Sequence, residues 1–259
     1  CLLFLFRQFL NQVASEIAGT GKEGMEMLVN MMQPSSKAKN ATFEYAIDGV
    51  VSYVSAPKRI ALREGVLQGL MAGFDKCTDK VNRAFLVTEM AKIATDKDAP
   101  FFVALLQDDD LQNVAISALA SVKGTETAIA DQIRKNSMPK SGLAYLAYVK
   151  KLQGVEDNLL SWVNGADEKT LVQIYNALTV CGGEKSMKLL QGVAMQKNYA
   201  NDATAVTDAY LQILNNSSDN NAVLTAVKAL LKADRSNIRC AGLRLLLLRD
   251  KDNATKNII

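Results

Sequence analysis

The chain has 259 residues, 30 Lys+Arg against 27 Asp+Glu (net charge +3), 49% hydrophobic residues and no histidine. The missing histidine excludes Ser-His-Asp and Cys-His nucleophilic machinery, histidine-ligated zinc or iron, and a histidine pH switch. Cysteines at 1, 77, 181 and 240 contain no C-x-x-C pair, and +3 is too small a charge to imply a nucleic-acid or membrane partner, so no metal, cofactor or polyanion is expected.

The apolar opening Cys1–Phe6 is far shorter than the roughly 20 residues of a membrane span. It also lacks the basic flank and cleavage site of a signal peptide, and Leu and Phe are a poor context for a lipid-bearing first cysteine. It reads as one face of a first helix over 3–17. The 3.6-residue apolar period then continues without strand-like alternation, which places helices at 22–32, 36–54, 57–74, 80–93, 97–107 and 110–122. Gly65, Gly69 and Gly73 line one face of the 57–74 helix. In lipid such a stripe drives helix association, but Arg63, Glu64, Gln68 and Asp75 on the same helix point to close packing against a neighbouring helix instead. Asp108-Asp109-Asp110 reads as a capping turn, since three consecutive carboxylates do not converge on one cation.

Further helices are expected at 126–135, 139–152, 156–163, 168–181, 185–196, 203–215, 220–232 and 235–249. All four prolines (34, 57, 100 and 139) fall near helix ends, where a fixed φ and a missing N–H do least harm. Asp79, Asp96, Thr125, Asp167, Asp202, Asp219 and Asp234 stand where N-caps are needed. Gly-x-Glu occurs at 124–126, 154–156 and 182–184, each time between two apolar stripes. Glycine permits a left-handed helix end, and the acid favours the start of the next helix. The result is a helix-pair unit of about 30 residues, the mark of an α-solenoid.

Two groups stand out as candidate binding residues. Tyr145, Tyr148 and Trp162 concentrate aromatic rings in an aromatic-poor chain, with Lys150 and Lys151 nearby. Tyr175 falls in a core stripe. Residues 228–259 carry 8 basic and 3 acidic side chains, among them Arg244 and Arg249 beside the Leu245–Leu248 run. They are expected to border a surface facing a following segment. The scattered cysteines suit reduced, buried thiols better than a disulfide framework.

Pro100–Asp110 followed by Val114 and Ala118-Leu119, and more fully Leu231–Gly242 with its Asp234 and Ile238-Arg239, resemble HEAT repeats. The resemblance implies a right-handed α-α superhelix of about seven helix pairs, with Asp234 and Arg239 in a hydrogen-bonded ladder between repeats. The 97–122 repeat lacks the arginine, and 30 residues is short for this family, whose repeats run to about 40–47. On this reading 1–96 is an irregular N-terminal part and 97–259 continues the same solenoid. Phe43–Gly49 through Asn82–Leu86 is similar to HEAT-like regions ahead of 3-keto-disaccharide-hydrolase-like domains in large bacterial envelope or secreted proteins.

The expected function is a non-enzymatic, protein-binding scaffold with no catalytic residues, whose partner is another protein or a following domain of the same polypeptide. One alternative is an accessory region of a carbohydrate-active enzyme whose catalytic domain lies outside this chain. Another is a relative of HEAT-like alkylpurine DNA glycosylases, which the weak net charge opposes. The compartment, envelope or cytoplasm, stays open.

Overall fold

The structure, a computed structural model, describes residues 2–37 and 39–250, with side chains from residue 11 onward. The apolar face expected of residues 1–6 and the chain after Asp250 lie outside the described side chains. Fifteen α-helices and three short 3-10 turns account for the regular structure, with no strand among the described residues. Cα packing divides the chain into two compact units, 1–128 and 129–259; the boundary expected at 96/97 falls within the first.

The first unit contains α1 (Leu2–Gly19), α2 (Gly21–Asn30), α3 (Ala41–Ser55), α4 (Ile60–Lys76), α5 (Lys80–Ile93), α6 (Ala99–Ala104), α7 (Gln112–Ser121) and the start of α8 (Glu126–Arg134). Odd-numbered helices stack on one another in the order α1, α3, α5, α7, while α2 packs most closely on α4. The glycine stripe explains the second layer. A Cβ on Gly65 would stand 3.1 Å from Gly21 Cα, one on Gly69 2.6 Å from Met25 Cβ, and one on Gly73 2.6 Å from Val29 Cβ. Each pair is 44 residues apart and both helices advance together, so α2 and α4 run parallel in register, turn against turn.

The same offset recurs elsewhere in this unit. The Ser35 amide and hydroxyl donate to Asp79, and Lys92 Nζ lies 2.7 Å from Asp48 Oδ1, both across 44 residues. Asn40 donates to Asn82 Oδ1 at 3.0 Å across 42. Here the helical repeat is therefore longer than the 30 residues that Gly-x-Glu suggests. Its core includes Val50, Val54, Leu70, Leu86, Met90, Phe102 and Leu119.

The second unit continues with α9 (Lys140–Val149), α10 (Glu156–Trp162), α11 (Glu168–Cys181), α12 (Glu184–Gln196), α13 (Val206–Asn216), α14 (Asn220–Leu230) and α15 (Ser236–Arg249). Again the odd helices stack: α9 on α11, α11 on α13, α13 on α15. Leu143, Leu146, Ile174, Leu178, Tyr210 and Leu230 fill the interior.

Several local expectations need correction. Helix α3 begins at 41, not 36, because buried Asn40 ties back to Gln33, accepting from the Gln33 amide and donating to its carbonyl. The 97–107 helix breaks into two 3-10 turns around α6, the first closed by a Thr95–Asp98 capping box in which Asp96 takes no part. Asp79, Asp167 and Asp219 do cap their helices. The Thr125 hydroxyl instead donates back to the Leu119 and Val122 carbonyls, closing α7. Asp202 binds the Thr204 amide and leaves left-handed Ala205 to start α13, and Arg235, not Asp234, holds the N-cap position of α15. Of the Gly-x-Glu glycines, Gly124 and Gly154 are left-handed as expected, whereas Gly182 has φ −87°. Cys77 is half-buried, Cys181 buried and Cys240 exposed, so burial holds for only one of the described thiols.

Candidate binding surface

The second unit separates the residues that the sequence singles out. Tyr145 is exposed on α9 with Val149 one turn on, and Tyr148 is half-buried. Trp162 is only 3% exposed, with Lys140 Nζ 5.6 Å from its ring centroid, so its face belongs to the core and not to a partner. Arg244 is exposed on α15, separated from α9 in the stack by α11 and α13. It edges a hollow of about 310 Å³ with Leu211, Gln212 and Leu245.

The basic C-terminal section is largely structural. Arg249 Nη2 donates to the carbonyls of Leu214, Asn215 and Ser217, closing the exposed end of α13. Arg239 Nη1 donates to the Ala233 and Asp234 carbonyls of the preceding turn, and Asp234 is exposed. Arg235 reaches the Asn198 carbonyl 37 residues back. Each of these guanidiniums is anchored to the main chain through one of its nitrogens.

Acids serve the complementary helix ends. Glu156 Oε1 accepts from the Gly183 amide at 2.7 Å, the Ser186 amide at 3.0 Å and the Ser186 hydroxyl at 2.6 Å, capping α12 from the preceding repeat. Burial acts to raise its pKa, but these donors outweigh burial and hold it below the ordinary carboxylate range. The Cys181 thiol beneath is pushed up to about 12, mainly by burial and then by the Glu156 charge, and is an inert thiol. A hollow of about 540 Å³ opens where the α11–α12 and α13–α14 turns approach Lys151. Two helix starts face it, yet their amides are already engaged by Glu156 and Asp219, so it holds no ready anion cradle.

The first unit supplies what the sequence reading missed. A groove of about 670 Å³ runs between α1 and α3, with an aliphatic lining from Val13, Ala14, Ile17, Ala46 and Val50. At one end Tyr45 is 60% exposed. At the other the Arg59 guanidinium lies 3.5 Å from the centroid of the Tyr53 ring, and its Nη1 donates to the Tyr53 carbonyl at 3.0 Å. Comparison of the chain with protein families, curated proteins and solved structures finds no match in any of the three.

Beside the groove lies an unusual charge cluster. Lys92 Nζ sits 2.7 Å from Asp48 Oδ1 and 2.6 Å from Glu89 Oε1. Glu89 is 3% exposed and its second oxygen has no hydrogen-bond partner. Burial pushes its pKa up further than Lys92 draws it down. Burial works to lower Lys92, but the two carboxylates outweigh it and raise Lys92. Among the described residues no three Cys, Asp or Glu gather to hold a metal ion, and no helix is long and apolar enough to cross a membrane.

Proposed function

We propose that this chain is a HEAT-like, non-enzymatic interaction module that binds another protein through the exposed side of its helix stack. The α1–α3 groove carries the reading: an aliphatic floor flanked by an exposed tyrosine and a stacked arginine is the composition of an interface hot spot, in which Tyr and Arg are enriched. The 44-residue offset of the first unit supports the HEAT-like reading, since it falls in that family's range of about 40–47 residues. Glu89, the buried acid with a raised pKa, is spent in an ion pair with Lys92 and does not line the groove, so it offers no general acid to a bound substrate.

The test is a photo-crosslinking amino acid at position 45, with a control at Lys135, in an extract of the source organism. The reading expects one discrete adduct from position 45 and none from 135. No adduct at 45, or the same smear from both positions, overturns it.

A further inference from the structure

The groove's open floor and its charge point to the occupant. Gly49 lies in the interior of α3 and lines the groove, and a Cβ placed on it meets nothing within 4 Å. This contrasts with Gly69 and Gly73, where the missing Cβ is what lets α2 approach. A mid-helix glycine costs about 1 kcal/mol relative to alanine. At Gly49 what it leaves is depth in the groove, enough to seat a side chain from outside.

Charge decides the rest. Among the described residues Asp48 is the groove's one acid, and Lys92 matches it at 2.7 Å. Among the described residues Arg59 is the groove's one cation, and it forms no ion pair there. One of its nitrogens is committed to the Tyr53 carbonyl, and the ring fixes its plane. The remaining donors form a fork suited to a carboxylate. Tyr45 and Tyr53 are eight residues apart on α3, about 12 Å along the axis, which is about four residues of extended peptide.

We infer that the α1–α3 groove binds a short peptide segment of a protein partner in which an acidic residue, held by Arg59, lies within about four residues of a large apolar one seated over Gly49. This rests on the interaction-module reading and names the partner chemistry for that site.

The full chain is probed on an array of randomised eight-residue peptides. The expected result is an enriched set pairing Asp or Glu with a large apolar residue at that spacing. Gly49→Phe, whose Cβ meets nothing within 4 Å, places a ring over the floor and is expected to abolish the enrichment, with helix content and melting retained. Arg59→Glu is expected to weaken the enriched peptides at least about tenfold and to shift preference toward Lys or Arg. Should Gly49→Phe fail to fold, Arg59→Glu alone decides. An enriched set without acids, enrichment that survives Gly49→Phe, or no enrichment overturns the inference. A position-45 adduct with no acidic consensus overturns this inference alone; absence of both adduct and enrichment overturns the interaction reading too.

Discussion

Single residues in this chain act through what surrounds a missing or buried atom, and glycine shows it in both directions. Gly69→Ala forces a Cβ to within 2.6 Å of Met25 Cβ, so it should destabilise the protein by about 1–3 kcal/mol in urea unfolding. Gly49→Ala meets open space and should stabilise by about 0.5–1 kcal/mol. Equal effects of the two would refute the packing described. The Gly65–Gly73 stripe was legible in the sequence because its four-residue spacing repeats on one face; Gly49 stands alone, and only the surrounding structure distinguishes a groove floor from a packing contact. Glu89 was illegible for a similar reason, as nothing in its sequence neighbourhood reveals burial of a carboxylate. Its raised pKa means that the folded state binds a proton more tightly than the unfolded state. Stability from this group is thus full at low pH and falls as pH rises through the ordinary glutamate range toward the raised folded value. Glu89→Met keeps the volume, removes an unpartnered buried oxygen and leaves Lys92 with Asp48. We expect it to gain about 1–3 kcal/mol at pH 7, with the gain shrinking as pH falls toward 4.5. A constant gain across pH would show that folding does not raise the pKa of Glu89.

At the scale of elements, repeats are joined by side chains that reach the next turn. The Gly-x-Glu spacing marks the helix junctions correctly, but at 156 the acid serves a different helix from the one it begins. Adjacency along the chain suggests that Glu156 favours the start of α10; three-dimensional stacking places its oxygen on α12, 27 to 30 residues on. A carboxylate accepting two amides and a hydroxyl is a charge-assisted cap, so Glu156→Ala should cost about 1–3 kcal/mol. The neighbouring Asp157–Lys185 pair spans 2.8 Å but both side chains are exposed, so Asp157→Asn should change stability by less than about 1 kcal/mol. Linkage adds a second readout. With its folded pKa depressed, Glu156 contributes stability above the ordinary carboxylate range that is lost as pH falls through its folded value. The wild type should therefore lose its advantage over Glu156→Ala on acidification, and parallel stability curves from pH 7 to pH 3 would sink the capping role.

Across the whole molecule, the all-helical repeat architecture was legible because amphipathic stripes and turn residues recur throughout, and most helix bounds fall within two or three residues of their places. The repeat length was not. Gly-x-Glu reports spacings of 28 and 30 in the middle of the chain, whereas contacts in the first unit recur at 44 and those between α11 and α13 at 37. The longer period is carried by glycines and by Asp and Asn residues whose partners are invisible without the stack. Each unit has its own core, and stacked helices contribute mainly through their neighbours. Damage should accordingly stay local. Gly69→Ala should lower amide-exchange protection in α2, α3 and α4 while α11 to α13 keep theirs, and Glu156→Ala should do the reverse. The two sites share no partner, so their combined cost in the double variant should equal the sum of the single costs within about 0.5 kcal/mol. Protection lost across both units from either substitution alone would mean that the chain opens as one cooperative block, and the nearest-neighbour account of its stability would fail.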